Sequence, residues 1–357
     1  MKRNLVDSGR GLDSELESVC RLFAPDADGE LFASLRRRAR SPLQVPFYYL
    51  DLVRSGQHAT TNGCAAKPTA EDVDLAYRAI LQRPPESRAI VRHQVETCQD
   101  ARQLAIALLT SREATLQMPR FVARAFPHAR RLWHVHIPKT AGTSFFLAAT
   151  QNGWGYVNTN MLAGAVGSEE SVAAGLRLDP ETAGSGIVSG HWKLHQFMDC
   201  VGPFDRVVTF VREPLEFLIS SYNYAVDVVS GRDNVHSDDP GPFLKRGLDP
   251  ESFANSFRRG FFVANVQCSY LAPEATSEAA LRNLAQCGGD VYPADAADRA
   301  LAEFFPSAPP KRANVSNKHV RPLDPDSDLR EELLAQNHHD YALYEVARRR
   351  NRELRAA

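Results

Sequence analysis

A chain of 357 residues is long enough for one large or two modest domains around a sizeable core. Its 43% hydrophobic and 24% charged residues are an ordinary soluble composition, and a formal net charge of −1 argues against a general nucleic-acid or membrane-surface role. No run of about 18 apolar residues occurs, and the basic start "MKRNLVDSGRGLDSELESV" lacks an apolar stretch behind it, so neither a transmembrane helix nor a signal peptide is expected. The six cysteines, Cys20, Cys64, Cys98, Cys200, Cys268 and Cys287, are scattered without a C-x-x-C pair and read as free thiols of a cytoplasmic protein.

Residues 1 to about 65 read as helical pieces broken by "RSPLQVPF" and "SGQHATTNG". The run "LRRRAR" reads as a solvated helix face, with a binding patch as the alternative. Thr69 before Asp72 forms a capping box with Asp in place of the usual Glu, and Val73, Ala76, Tyr77, Ile80 and Leu81 follow at helical spacing. "QRPPES" breaks that helix and "ARQLAIALLTSREA" supplies another. Through "AYRAILQRPP…LLTSREA", residues 68 to 118 resemble a small helical module appended to bacterial glycan-modifying enzymes, which implies an accessory role beside a purely structural one. No internal repeat of fixed period is present.

From about 130 the pattern alternates between strands and helices, as in an α/β domain with a parallel sheet. "RLWHVHI", "GIVS" at 186 and "RVVTFV" at 206 read as strands, and "TSFFLAAT" opens a helix. A helix after Pro214 places Leu215, Leu218, Ile219, Tyr222 and Val226 on one face. The polar, turn-rich segment 228–250 is too long for a plain connector and reads as a lid or acceptor-binding loop. The expected architecture is therefore a P-loop-like parallel sheet flanked by helices, preceded by a smaller all-helical region over 1–125.

The stretch "HIPKTAGTS" joins the first strand to its helix. The amides at that helix start and the helix dipole make an anion the natural guest. A nucleotide-kinase loop reads G-x-x-x-x-G-K-[ST], with its lysine after the last glycine. Here Lys139 stands three residues before Gly142, no G-K-[ST] occurs in the chain, and "RVVTFV" is followed by Arg212 rather than an aspartate that could help hold magnesium. The site is expected to neutralise an anion with protein cations and no metal.

These residues carry a resemblance. "IPKTAGTS" is similar to the 5′-phosphosulfate loop of sulfotransferases that use 3′-phosphoadenosine 5′-phosphosulfate (PAPS), and "RVVTFVREPLEFLISSYNYA" to their 3′-phosphate motif. "SGHWKLHQF" resembles the glycine–histidine turn of the branch that includes heparan and dermatan 2-O-sulfotransferases; "NVQCSYL" and "KRANVSNKH" also resemble family segments. The resemblance covers roughly 130 to 345 and implies a sulfotransferase domain over 126–357. It implies Lys139 on the phosphosulfate bridge, Thr140, Ala141, Gly142, Thr143 and Ser144 around the 5′-phosphate, and Arg212 and Ser220 on the 3′-phosphate, with Ser221 open to confusion with Ser220. A basic loop with Lys311, Arg312, Asn314, Ser316 and Lys318 either closes over the cofactor or is simply solvated.

Lys139, His191 and Arg212 each follow the carboxyl end of a predicted strand, the edge where parallel sheets bind ligands. His191 is the candidate general base, with His195 as competitor, because an attacking hydroxyl must lose its proton and imidazole titrates near neutrality. His134 and His136 share one face of the first strand; without a third ligand they read as hydrogen-bonded core histidines rather than a metal pair. The expected reaction is in-line transfer of the sulfuryl group from PAPS to an acceptor hydroxyl, either a peptide or protein tyrosine, as in bacterial protein-tyrosine sulfotransferases, or a glycan hydroxyl. Arg258, Arg259 and Lys245 would suit an acidic acceptor. A magnesium-dependent kinase and a non-catalytic sulfonucleotide-binding scaffold are the competing classes.

Overall fold

The computed structural model describes residues 8–24, 29–54, 66–127, 130–159, 176–177, 185–203, 205–231, 241–305 and 327–356. The chain is mixed α/β, with a parallel sheet flanked by helices and a helical amino-terminal region. The strands are β1 (Arg130–Val135), β2 (Tyr156–Asn158), β3 (Leu176–Arg177), β4 (Ser185–Gly190), β5 (Arg206–Val211) and β6 (Gly289–Pro293), ordered β3-β2-β4-β1-β5-β6 in one sheet. β2 pairs parallel with β4 and β5 parallel with β6, while the short β3 runs antiparallel to β2.

Two compact units divide the chain. The first comprises Met1–Leu132, Trp154–Gly190 and Asp199–Phe204. Its helices are α1 (Ser8–Phe23), α2 (Glu30–Arg38), α3 (Val45–Arg54), α4 (Ala70–Ala76), α5 (Arg88–Thr97), α6 (Ala101–Leu109) and α7 (Arg112–Ala125). Hydroxyl and carboxylate caps start four of them: the reciprocal Thr69–Asp72 box, Ser87, Asp100 and Ser111. The stripe from Val73 to Leu81 is buried as expected, and α4 runs on as a π turn that ends at left-handed Gln82. "ARQLAIALLTSREA" holds two helices rather than one, because Ser111 caps α7 just after Thr110 has turned its hydroxyl back onto Ile106. The "LRRRAR" arginines are partly committed: Arg36 pairs with Asp13 at 2.8 Å, and Arg38 with the buried Asp51 at 3.2 Å.

The second unit comprises Trp133–Gly153, His191–Met198 and Asp205–Ala357. It contains α8 (Gly142–Gln151), α9 (Pro214–Val229), α10 (Gly241–Lys245), α11 (Phe253–Arg258), α12 (Val266–Leu271), α13 (Ser277–Gln286), α14 (Ala297–Phe304), α15 (Asp328–Gln336) and α16 (His338–Ala356). β1 and β5 are tied by Thr209, whose hydroxyl donates to the Val135 carbonyl at 2.9 Å, and by the Trp133 indole N–H, which donates to Asp205 at 2.9 Å. Leu218, Tyr222 and Val226 of α9 are buried, while Leu215 and Ile219 keep partial exposure. Of the segment 228–250, residues 232–240 lie outside the described residues. Its return is anchored by the Tyr222 hydroxyl, which donates to the Asp249 carbonyl at 2.9 Å.

Candidate functional site

Every described candidate residue falls in the second unit. Beyond β1 the chain turns sharply: the Thr140 hydroxyl, fully buried, donates to the Ile137 carbonyl at 2.7 Å, so its proton closes the turn. Lys139 (φ +67°) and Ala141 (φ +75°) are both left-handed, and Thr140 between them is not. Left-handed backbone costs a residue with a Cβ about 1–2 kcal/mol, and alternating handedness aims successive N–H groups into one concavity suited to an anion. Ala141 is also the N-cap of α8 and offers no side-chain cap, which leaves the first-turn amides at Gly142, Thr143 and Ser144 facing the same place.

Gly142 is needed for space rather than for backbone freedom. A Cβ there would lie 1.8 Å from Nε2 of His136, whose ring rests directly on the glycine. His136 also stacks on His134, with ring centroids 5.3 Å apart, and meets the exposed His191 at 4.6 Å. Three imidazoles thus lead from the core to the surface beside the loop. Burial drives the His134 pKa down to about 3, with His191 adding to the effect. His136 is held well below its ordinary value by the protein packed around it, then by His191, His134 and Lys139. Both inner rings are therefore neutral near pH 7, and His136 places no positive charge against His191. Among the described residues no three His, Cys, Asp or Glu side chains are placed to share a metal ion.

The Lys139 ammonium lies over the Tyr224 ring, 4.5 Å from its centroid. Tyr224 stands one helical turn beyond Ser220 on α9, so the Ser220 face of that helix looks toward the loop. The ambiguity between Ser220 and Ser221 resolves here. Ser221 gives its hydroxyl to the Phe217 carbonyl at 2.8 Å, whereas Ser220 makes no hydrogen bond among the described residues.

Arg212 is the first residue after β5. It is half-buried, and among the described residues its guanidinium makes no hydrogen bond or ion pair. Burial lowers its pKa, while Glu216 and Asp295 act in the opposite direction from beyond ion-pair range. Its backbone is gripped by Gln267, which sequence reasoning did not single out within "NVQCSYL". Tyr224 and the contact between His136 and Gly142 were missed too; the four-residue spacing from Ser220 was the available signal for the tyrosine.

His195 sits in a 3-10 turn (Leu194–Gln196), and its charged neighbours are Lys193 and Glu274 rather than the loop. Burial lowers its pKa, and Nδ1 is enclosed without a hydrogen-bond partner among the described residues. Of the cations expected to meet an acidic acceptor, Arg259 is occupied by Asp249 at 3.4 Å. Ser316 and Lys318, with Lys311, Arg312 and Asn314, lie outside the described residues. Compared with known proteins, the chain matches no family model and no curated sequence.

Proposed function

We propose that the chain is a PAPS-dependent sulfotransferase. The observation that carries this reading is Arg212: a half-buried guanidinium without an acidic partner among the described residues, one strand away from a left-handed, lysine-bearing anion loop. Arginine matches phosphate oxygens as a planar fork, and a loop of amides with Lys139 suits a second anionic group. One nucleotide bearing phosphates at both ends of its ribose would satisfy both.

PAPS, when bound, supplies the sulfuryl group: a bond forms between the acceptor oxygen and sulfur as the bond from sulfur to the 5′-phosphate oxygen breaks. Arg212 and Ser220 hold the 3′-phosphate, and the 139–144 amides hold the 5′-phosphate. Lys139 offsets the charge left on that phosphate, a role whose loss costs on the order of 10²–10³ in rate. His191, exposed and backed by neutral His136, takes the acceptor proton. A tyrosine acceptor, with a phenol pKa near 10, asks less of an imidazole base than a sugar alcohol does, so we take peptide tyrosine as the acceptor and a saccharide hydroxyl as the alternative.

Calorimetric titration of adenosine 3′,5′-bisphosphate without magnesium, into wild type and Arg212→Ala, tests the reading. Wild type is expected to bind at micromolar strength. The variant should lose about 10–100-fold, the worth of charge-assisted hydrogen bonds. No binding, together with magnesium-dependent binding of ATP, would overturn the proposal in favour of a kinase. A screen of tyrosine peptides and oligosaccharides with labelled PAPS then decides the acceptor.

A further inference from the structure

The ladder of β5 with β6 ends just before Arg212. It closes at Val211 opposite Pro293, which has no N–H to give. Arg212 follows, and its backbone donor and acceptor are both met by one side chain. Gln267 Oε1 accepts from the Arg212 N–H at 2.7 Å, and Nε2 donates to the Arg212 carbonyl at 2.9 Å. A carboxamide engaging both groups of one residue fixes the peptide planes on either side of it, and so the direction in which the side chain departs.

Gln267 is itself held. It is fully buried, its N–H donates to Asp340 Oδ2 at 3.0 Å, and the next N–H, of Cys268, donates to Oδ1 at 2.8 Å. Asp340 is 1% exposed in the first turn of α16. The favour is returned: Asn265 Oδ1 accepts from the N–H groups of His339 and Asp340 at 3.1 and 3.2 Å, so α12 and α16 cap each other's amino ends. Asn265 in turn donates its N–H to Asn337 at 3.0 Å. Three buried polar side chains, Gln267, Asp340 and Asn337, joined by the half-buried Asn265, are tolerable only because each is hydrogen-bonded, and an apolar packing would be simpler if stability were their sole use. The Arg212 guanidinium has no hydrogen-bond partner of its own among the described residues, so its aim is set by its backbone.

We infer that Gln267, locked by Asp340 and Asn265, is the positioning residue for Arg212 and thereby sets selectivity for a 3′-phosphorylated adenine nucleotide. This rests on the reading that Arg212 meets the 3′-phosphate. The test titrates adenosine 3′,5′-bisphosphate and adenosine 5′-monophosphate into wild type, Gln267→Met, Gln267→Glu, Arg212→Ala and the Gln267→Met/Arg212→Ala double variant. Gln267→Met is expected to weaken the bisphosphate about tenfold, the size of one net hydrogen bond, leave the monophosphate unchanged, and add nothing once Arg212 is alanine. Gln267→Glu keeps the acceptor but turns a second oxygen on the Arg212 carbonyl, so it should lose at least as much; it is scored by the same ratio should the methionine variant not fold.

Equal losses for both nucleotides, or a loss that persists in the Arg212→Ala background, would show that Gln267 supports the fold only. Bisphosphate binding that depends on Arg212 and ignores Gln267 also overturns the inference while sparing the cofactor reading. Failure of wild type to bind the bisphosphate would instead overturn that underlying reading.

Discussion

Gly142→Ala is the sharpest perturbation the loop offers. The added methyl would stand 1.8 Å from Nε2 of His136, 2.1 Å from Cδ2 and 2.3 Å from Cε1. Ordinary contact begins at 3.4 Å, so the ring must retreat by about 1.6 Å, more than a packed side chain can absorb without shifting its neighbours. On one side lies His134, buried and stacked; on the other lies exposed His191. The yielding direction therefore displaces His191. Overpacking of this kind costs about 1–3 kcal/mol, and in a unit of this size each kcal/mol lowers Tm by about 2–4 °C, giving a drop of roughly 2–12 °C. Gly142 is not among the positive-φ glycines, so backbone strain does not compete as the cause. Thermal melts should show the drop, sulfuryl transfer should fall with it, and adding His136→Ala should make the pair less destabilised than the sum of the singles. A Tm and bisphosphate affinity equal to wild type would refute the reasoning and leave Gly142 as a mere turn residue.

His191→Ala should lower turnover by about 10²–10⁴ with bisphosphate affinity little changed, while His195→Ala should leave turnover near wild type; the opposite pattern transfers the base role to His195. Acid should also find the buried imidazoles. The His134 pKa is depressed to about 3 from an ordinary 6.5, so between those values the unfolded chain binds the extra proton. Its contribution is whole above about pH 6.5 and drains toward pH 3, at up to about 1.4 kcal/mol per pH unit. Asp340, whose carboxyl is raised by burial, acts with the opposite sign. The quantity to measure is therefore the difference between wild type and His134→Phe in denaturant melts from pH 7.5 to 4.5, and a flat difference would refute it.

What could be read from the sequence was what local chemistry decides. β1, β4 and β5 were legible from apolar runs, the Thr69–Asp72 cap from its spacing, and Lys139, His191 and Arg212 from standing just beyond strand ends. β2 and β3 span three and two residues, too few to show a period, and β6 is five residues set against Gly288 and Gly289. The grip on Arg212 could not be read at all, because Gln267 is 55 residues away and Asp340 another 73. His134 and His136 were placed on one face by strand alternation. Only the curvature of the following turn, set by two left-handed residues that have no glycine to announce them, carries His136 onto Gly142.

Charge is handled differently at Arg212 than at Arg206, Arg259 and Arg350 of the same unit. Arg206 is paired with Asp290 and Glu303, Arg259 with Asp249 and Arg350 with Asp290. A carboxylate at 4 Å is worth about 4 kcal/mol at an effective dielectric constant of 20, and an incoming phosphate would have to compete with it. At Arg212 the holding groups are neutral and act on the backbone, while Glu216 and Asp295 favour the charged form from beyond 4 Å and leave the fork open. Lys139 has the Tyr224 ring among its neighbours, which attracts an ammonium without cancelling its charge. Holding Arg212 through neutral contacts keeps its charge in place for an anionic guest. Gln267→Glu therefore probes more than a lost hydrogen bond, since it would set a carboxylate beside an arginine that the fold supports by a neutral side chain.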